Sequence, residues 1–179
     1  MEGLLLFEPK TYSDNRGYFR ETFRLEELNR ISGVKFEFVQ GNESLSIEAG
    51  TIRGLHFQAY PHAQDKLVSV YCGSVCDVVV DLRPDSKTYL QWKSFELSAE
   101  NGRKIFIPKG FAHGFCTLMK NTVLSYMVTD YYAPETEGGI KWDDGDLKID
   151  WPLNGCKPIV SDKDTQLPSL SEIVKNIKV

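Results

Sequence analysis

The sequence predicts a mainly β protein, a sandwich or barrel. Three observations carry that prediction. Short β-branched or aromatic runs recur every ten or so positions, turn residues separate them, and helical periodicity is scarce. Lys66 to Tyr71, Val75 to Leu82, Trp92 to Leu97, Lys104 to Pro108 and Val123 to Thr129 read as strands. Leu4-Leu5-Leu6-Phe7 reads as an edge or pairing strand, and Gly73-Ser74 as a tight hairpin turn. Arg24 to Ser32 carries Leu25, Leu28 and Ile31 at helical spacing, with Gly33 as its C-terminal stop. Ser169-Leu170-Ser171-Glu172 forms a capping box. It opens a stripe of Leu170, Ile173, Val174 and Ile177, a helix too short to stand alone and therefore docked on the barrel or on a second subunit.

Bulk properties narrow the function classes. The 179 residues fit one domain, and no repeat or linker divides them. A net charge of −4 gives no basic field for nucleic acid, so an anionic ligand needs a local cationic cluster. No apolar run approaches the roughly 18 residues of a membrane span, and the N-terminus lacks the features of a signal peptide. The expectation is a cytoplasmic protein. Cys72, Cys76, Cys116 and Cys156 match no zinc spacing, and Cys72 and Cys116 sit in apolar runs where cysteine acts as a small hydrophobe.

Chemistry concentrates around two of the three histidines. His56 lies in Arg53-Gly54-Leu55-His56-Phe57-Gln58, and His113 in Pro108-Lys109-Gly110-Phe111-Ala112-His113. The second stretch resembles the cupin motif P-x-G-x-x-H. Metal-binding cupins carry an H-x-H pair and a glutamate on the earlier strand, where this chain has Gln58 and no such glutamate. One or two imidazoles without an acidic ligand make a poor transition-metal site, so no metal and no cofactor are expected. His62 has no such context and reads as a surface residue.

Ten segments in order carry a closer resemblance. They include Asp14 to Glu21, Gln40 to Ser44, Ile52 to Gln58, Gln64 to Val68, Val79 to Arg83, Leu97 to Asn101 and Ile107 to Phe115. Asp130-Tyr131-Tyr132, Ile149 to Pro152 and Ser161 to Asp164 complete the set. Over nearly its whole length the chain resembles the dTDP-4-dehydrorhamnose 3,5-epimerases. The resemblance implies a cupin-type jelly-roll β-barrel with a few short peripheral helices. It also implies a homodimer with exchanged N-terminal strands. Residues 1–50 would then serve the dimer, 51–150 form the barrel core, and 151–179 supply a catalytic carboxylate and a short helix.

The implied substrate is a dTDP-linked 4-keto-6-deoxy sugar, and the roles follow residue by residue. His56 matches the catalytic base and Asp164, 108 positions later, its carboxylate partner, expected to raise the imidazole pKa. Tyr126 matches the acid, and Lys66 the lysine facing the ketone oxygen. Arg53 matches a diphosphate-binding arginine. Arg16, Glu21, Gln40 and Asn42 match residues lining the nucleotide end, partly from a neighbouring subunit, and Tyr132 an aromatic near the substrate. His113 is expected to add a hydrogen bond near the sugar, Asp77 to support these side chains, and Lys163 to meet phosphate. Two other readings remain open: a monofunctional 3- or 5-epimerase of another deoxysugar, and a non-catalytic sugar-nucleotide binder.

Overall fold

Alternation between two apolar surfaces builds the strands of this chain. On Val75 to Val80, Val75 and Val79 face one cluster while Val78 and Val80 face another, the period-two pattern of a strand buried on both sides. A computed structural model describes residues 1–174 and 179. Its elements are β1 (Leu5–Phe7), β2 (Thr11–Asp14), β3 (Gly17–Arg20), α1 (Leu25–Ser32), β4 (Gln40–Ser46), β5 (Ile52–Gln58) and β6 (Lys66–Cys72). Then follow β7 (Ser74–Asp81), β8 (Trp92–Ser98), β9 (Lys104–Ile107), β10 (Phe111–Thr117) and β11 (Thr122–Val128). The chain closes with β12 (Glu137–Gly139), α2 (Asp162–Thr165) and α3 (Leu170–Ile173).

Two five-stranded antiparallel sheets face each other, in the orders β1-β9-β6-β11-β4 and β12-β5-β10-β7-β8. Between them lies a core of Val68, Val70, Val75, Val79, Leu97, Ile105, Ile107, Phe111, Phe115 and Leu124. The second sheet's outer face is covered by the C-terminal segment through Ile140, Leu147, Trp151 and Leu170. The first sheet's outer face holds Leu67 and Phe106 beneath Leu28 of α1. This is the jelly-roll barrel that the strand spacing and the proline-glycine-histidine motif predict.

Several local expectations hold. β1 is an edge strand paired to β9, α1 ends at Gly33 with φ +72°, and α3 opens on Ser169, whose N–H donates to Glu172 Oε2 at 2.7 Å. Leu170 docks α3 on the barrel; Ile177 lies outside the described residues.

Two expectations are corrected. Gly73-Ser74 is not a hairpin turn: β6 and β7 belong to different sheets, and the chain crosses between them at Gly73, φ +74°. β6 already has β9 and β11 as neighbours, so β7 must take its partners in the other sheet. Cys72 is exposed, because it follows the last inward residue of β6; Cys116 is buried as expected. The β2–β3 hairpin stands clear of both sheets, with Tyr18 62% and Phe19 71% exposed.

Candidate active site

The open end of the barrel holds a cavity of about 670 Å³. Its walls come from both sheets. β5 and β10 of one sheet place His56 and His113 opposite each other in register, while β6 and β11 of the other place Lys66 and Tyr126. Between His113 and Phe115 the register of β10 on β5 slips, so Gly54 and Leu55 stand against Gly114 alone. This bulge turns Arg53 and His56, three residues apart, toward the same cavity. Gly54 makes it possible: its φ is +104°, and a Cβ there would lie 2.6 Å from the His113 carbonyl oxygen.

His56 Nε2 is 2.7 Å from Asp164 Oδ1, and Asp164 Oδ2 accepts from the Gly54 N–H at 3.1 Å. Since a carboxylate only accepts, the neutral ring carries its proton on Nε2, leaving Nδ1 with its lone pair. α2 delivers Asp164: Ser161 caps the helix, its Oγ accepting from the Asp164 N–H at 3.1 Å. Asp164 pulls the His56 pKa upward, as expected, but it does not set the net shift. Burial is the larger influence and sets the net direction downward, with Asp164 opposing it. An imidazole held below its usual value is neutral, and so able to accept a proton, at neutral pH.

A second imidazole–carboxylate pair lies deeper. His113 Nε2 is 2.8 Å from Asp77 Oδ2, both side chains are buried, and Asp77 Oδ1 has no hydrogen-bond partner among the described residues. Asp77 acts electrostatically on Lys66, whose ammonium is enclosed by protein although part of the residue faces the cavity. Burial pulls the Lys66 pKa down to about 8, and Asp77 and Glu137 oppose that fall. Tyr126 is pushed upward, first by burial and then by Glu137, so its phenol keeps its proton.

The cavity rim is polar. Gln40 Nε2 donates to Asn42 Oδ1 at 2.8 Å, and Gln40 Oε1 accepts from the Tyr132 N–H at 3.0 Å. Arg53 donates to Ser46 Oγ and the Leu45 carbonyl. The Lys163 ammonium binds both oxygens of Glu137 at 2.8 Å, and the Tyr132 hydroxyl donates to Glu137 Oε2 at 2.7 Å.

Ten of the twelve residues proposed from the sequence therefore meet in one cavity: His56, Lys66, Tyr126, Asp164, Gln40, Asn42, Arg53, His113, Tyr132 and Lys163. Arg16 and Glu21 do not reach it within one chain. Arg16 binds Asp14 with its side chain 85% exposed, and Glu21 pairs with Arg24 at 2.6 Å. Both lie on or beside the projecting hairpin. Glu137 escaped the sequence reading, because Glu-Gly-Gly carries no motif and only the β12–β5 pairing, with Gly139 against His56, brings it to the site. His62 is half-exposed, its Nδ1 3.3 Å from Asp130 Oδ2.

A neutral imidazole on one wall, with a protonated phenol and a buried lysine on the other, suits an acid–base isomerase of the cupin type. The comparisons agree and narrow the class. The family profile described as dTDP-4-dehydrorhamnose 3,5-epimerase matches residues 1–172, and the chain belongs to that family. A curated relative of that name from Methanothermobacter thermautotrophicus is 47% identical over 173 residues, 96% of this chain and 92% of its own. The crystal structure of the Bacillus anthracis enzyme with TDP and PPi bound has a TM-score of 0.89 at 50% identity, covering 93% of this chain and 94% of its own. That of the Legionella pneumophila enzyme in complex with dTDP-4-keto-L-rhamnose has a TM-score of 0.92 at 44% identity, covering 99% and 94%.

Proposed function

We propose that this chain inverts carbons 3 and 5 of dTDP-4-dehydro-6-deoxy-D-glucose, giving dTDP-4-dehydro-L-rhamnose for dTDP-rhamnose biosynthesis. The observation that carries the reading is the placement of His56 and Tyr126 on opposite sheets across one cavity. Epimerisation needs removal of a proton from one face of a carbon and return of a proton to the other.

The ketone at carbon 4 acidifies the hydrogens on both neighbours. His56 Nδ1 takes one, becoming an imidazolium that Asp164 stabilises. The C–H electron pair moves into the ring as an enolate, whose oxygen the Lys66 ammonium holds. Tyr126 gives its phenolic proton to the opposite face of the carbon. The imidazolium proton and the phenolate then return to their starting states by exchange with solvent. The same sequence acts at the second centre.

Arg53 and Lys163 supply the cations for the diphosphate, and Gln40, Asn42 and Tyr132 the surface for thymidine. Tyr12, Tyr18 and Phe19 stand exposed on the hairpin that carries Arg16. An aromatic surface of this kind favours burial against a second copy. Exchange of the N-terminal region across a homodimer would carry Arg16 and Glu21 to the partner's cavity. No helix among the described residues is long and apolar enough to cross a membrane. The four cysteines are free, which suits the reducing cytoplasm.

The test is proton NMR of dTDP-4-dehydro-6-deoxy-D-glucose with the protein in deuterated water. Deuterium at both carbon 3 and carbon 5 is the expected result. Exchange at one carbon alone would make the chain a monofunctional epimerase. No exchange, with dTDP still bound, would leave it a binder of sugar nucleotides.

A further inference from the structure

We propose that Gln58 is a positioning residue that roots the rim of the cavity and holds Tyr132 in place for the nucleotide; this rests on the reading of the cavity given above. Gln58 is 6% exposed and stands two residues after His56 on β5. Its carboxamide is saturated by backbone groups. Nε2 donates to the carbonyls of Tyr131, at 2.9 Å, and of His62, while Oε1 accepts from the Ala133 N–H at 3.0 Å.

The pattern has a specific meaning. The carbonyl of residue 131 and the N–H of residue 133 flank residue 132, and both bind one planar amide. A parallel strand would present its backbone to residue 132 in the same way. The side chain of Gln58 thus acts as a one-residue strand edge beneath Tyr132. Gln40 Oε1 takes the remaining N–H, that of Tyr132 itself, at 3.0 Å. Two glutamines therefore occupy the three backbone groups that aim this tyrosine, and its hydroxyl ends 2.7 Å from Glu137 Oε2. The second N–H of Gln58 binds the other rim loop at His62, which is itself paired to Asp130.

Glutamine suits this position because only a carboxamide offers two donors and an acceptor in one plane. A leucine of similar volume would leave the Tyr131 carbonyl and the Ala133 N–H without partners, and Ala133 is itself buried. His56 keeps its bonds to Asp164 either way, since these do not involve Gln58. The expected consequence is a defect in ligand capture with little defect in chemistry.

The test compares wild type, Gln58→Leu, Tyr132→Ala and the double variant. The measurements are dTDP affinity by calorimetry and kcat and KM with the sugar nucleotide. Gln58→Leu should weaken dTDP binding and raise KM by about tenfold or more, with kcat within roughly threefold. In the double variant the two losses should fall well short of adding, because both act on one tyrosine. Unchanged affinity, equal losses in kcat and kcat/KM, or fully additive losses would overturn the proposal. Should Gln58→Leu not fold, Gln58→Glu, close in size but lacking both donors, carries the same comparison. A wild-type protein that fails to bind dTDP would overturn the reading of the cavity instead, and that is measured before any variant.

Discussion

Burial and a carboxylate act on His56 in opposite senses, and burial is the larger. In its proposed role as base His56 acts when neutral, so kcat/KM should rise with pH through an acid limb lying below the usual histidine value of about 6.5. At high pH the Lys66 ammonium loses its proton near 8, and with it the charge proposed to hold the enolate, so a basic limb should appear there. Tyr126 is shifted upward and sets no limb in this range. Replacing Lys66 with arginine should move the basic limb out of reach of the titration. A profile of kcat/KM between pH 5 and 10, on roughly unit steps, checks both limbs. His56→Asn should lower turnover by about 10²–10⁴-fold while dTDP affinity stays near wild type. Tyr126→Phe should still exchange substrate protons with deuterated solvent yet epimerise poorly, which NMR resolves directly. Asp164 has meaning only beside His56, and 108 intervening residues hide that pairing from any local reading.

Short elements decide the precision of the site. α2 has four residues and is stable only because it is capped and docked. Ser161→Ala removes the cap on the Asp164 N–H, a loss of about 1 kcal/mol confined to this turn. The expected result is a clear fall in kcat with Tm lowered by no more than about 2–4 °C, read by kinetics and calorimetry together. Gly54→Ala should be far worse. Its Cβ would meet the His113 carbonyl at 2.6 Å, and its φ of +104° excludes most side chains. Backbone strain of about 1–3 kcal/mol adds to a forced separation of β5 from β10, so both activity and Tm should drop. At this scale the sequence was legible unevenly. β6, β7 and β11 announce themselves by valine and leucine runs, whereas β4, Gln-Gly-Asn-Glu-Ser-Leu-Ser, carries almost no strand signal. It is a strand because β11 pairs along all seven of its residues. The crossing at Gly73 read as a hairpin for a related reason: a glycine turn between two strands looks the same whether they pair or part.

Across the whole molecule, burial inside the barrel contrasts with exposure on the N-terminal hairpin. Phe19 is 71% and Tyr18 62% exposed, beside a barrel whose inner core is all but closed to solvent. Leu25 and Ile31 of α1 also remain exposed, so the apolar stripe that predicted this helix is only one-third buried by the chain itself. Light scattering should therefore report a dimer. Changing Tyr18 and Phe19 together to serine should yield a folded monomer with weakened dTDP binding, because Arg16 would no longer reach a partner's cavity. A wild-type monomer of full activity would refute that assembly.

What the sequence determined by itself was the architecture and the membership of the site. Strand periodicity, the Pro108-to-His113 motif and the ordered matches name the barrel and twelve site residues, ten of which line the cavity. The tertiary structure alone decided how they act. It buried the His56–Asp164 pair, which the resemblance had named, deeply enough to lower the imidazole pKa against the pull of the carboxylate. It also put Glu137 at the rim, spent Gln58 on loop backbone, and left Arg16 and Glu21 outside. The reason is physical. Residue type and spacing record which face a side chain takes, but desolvation and hydrogen-bond partnership depend on every element packed around it.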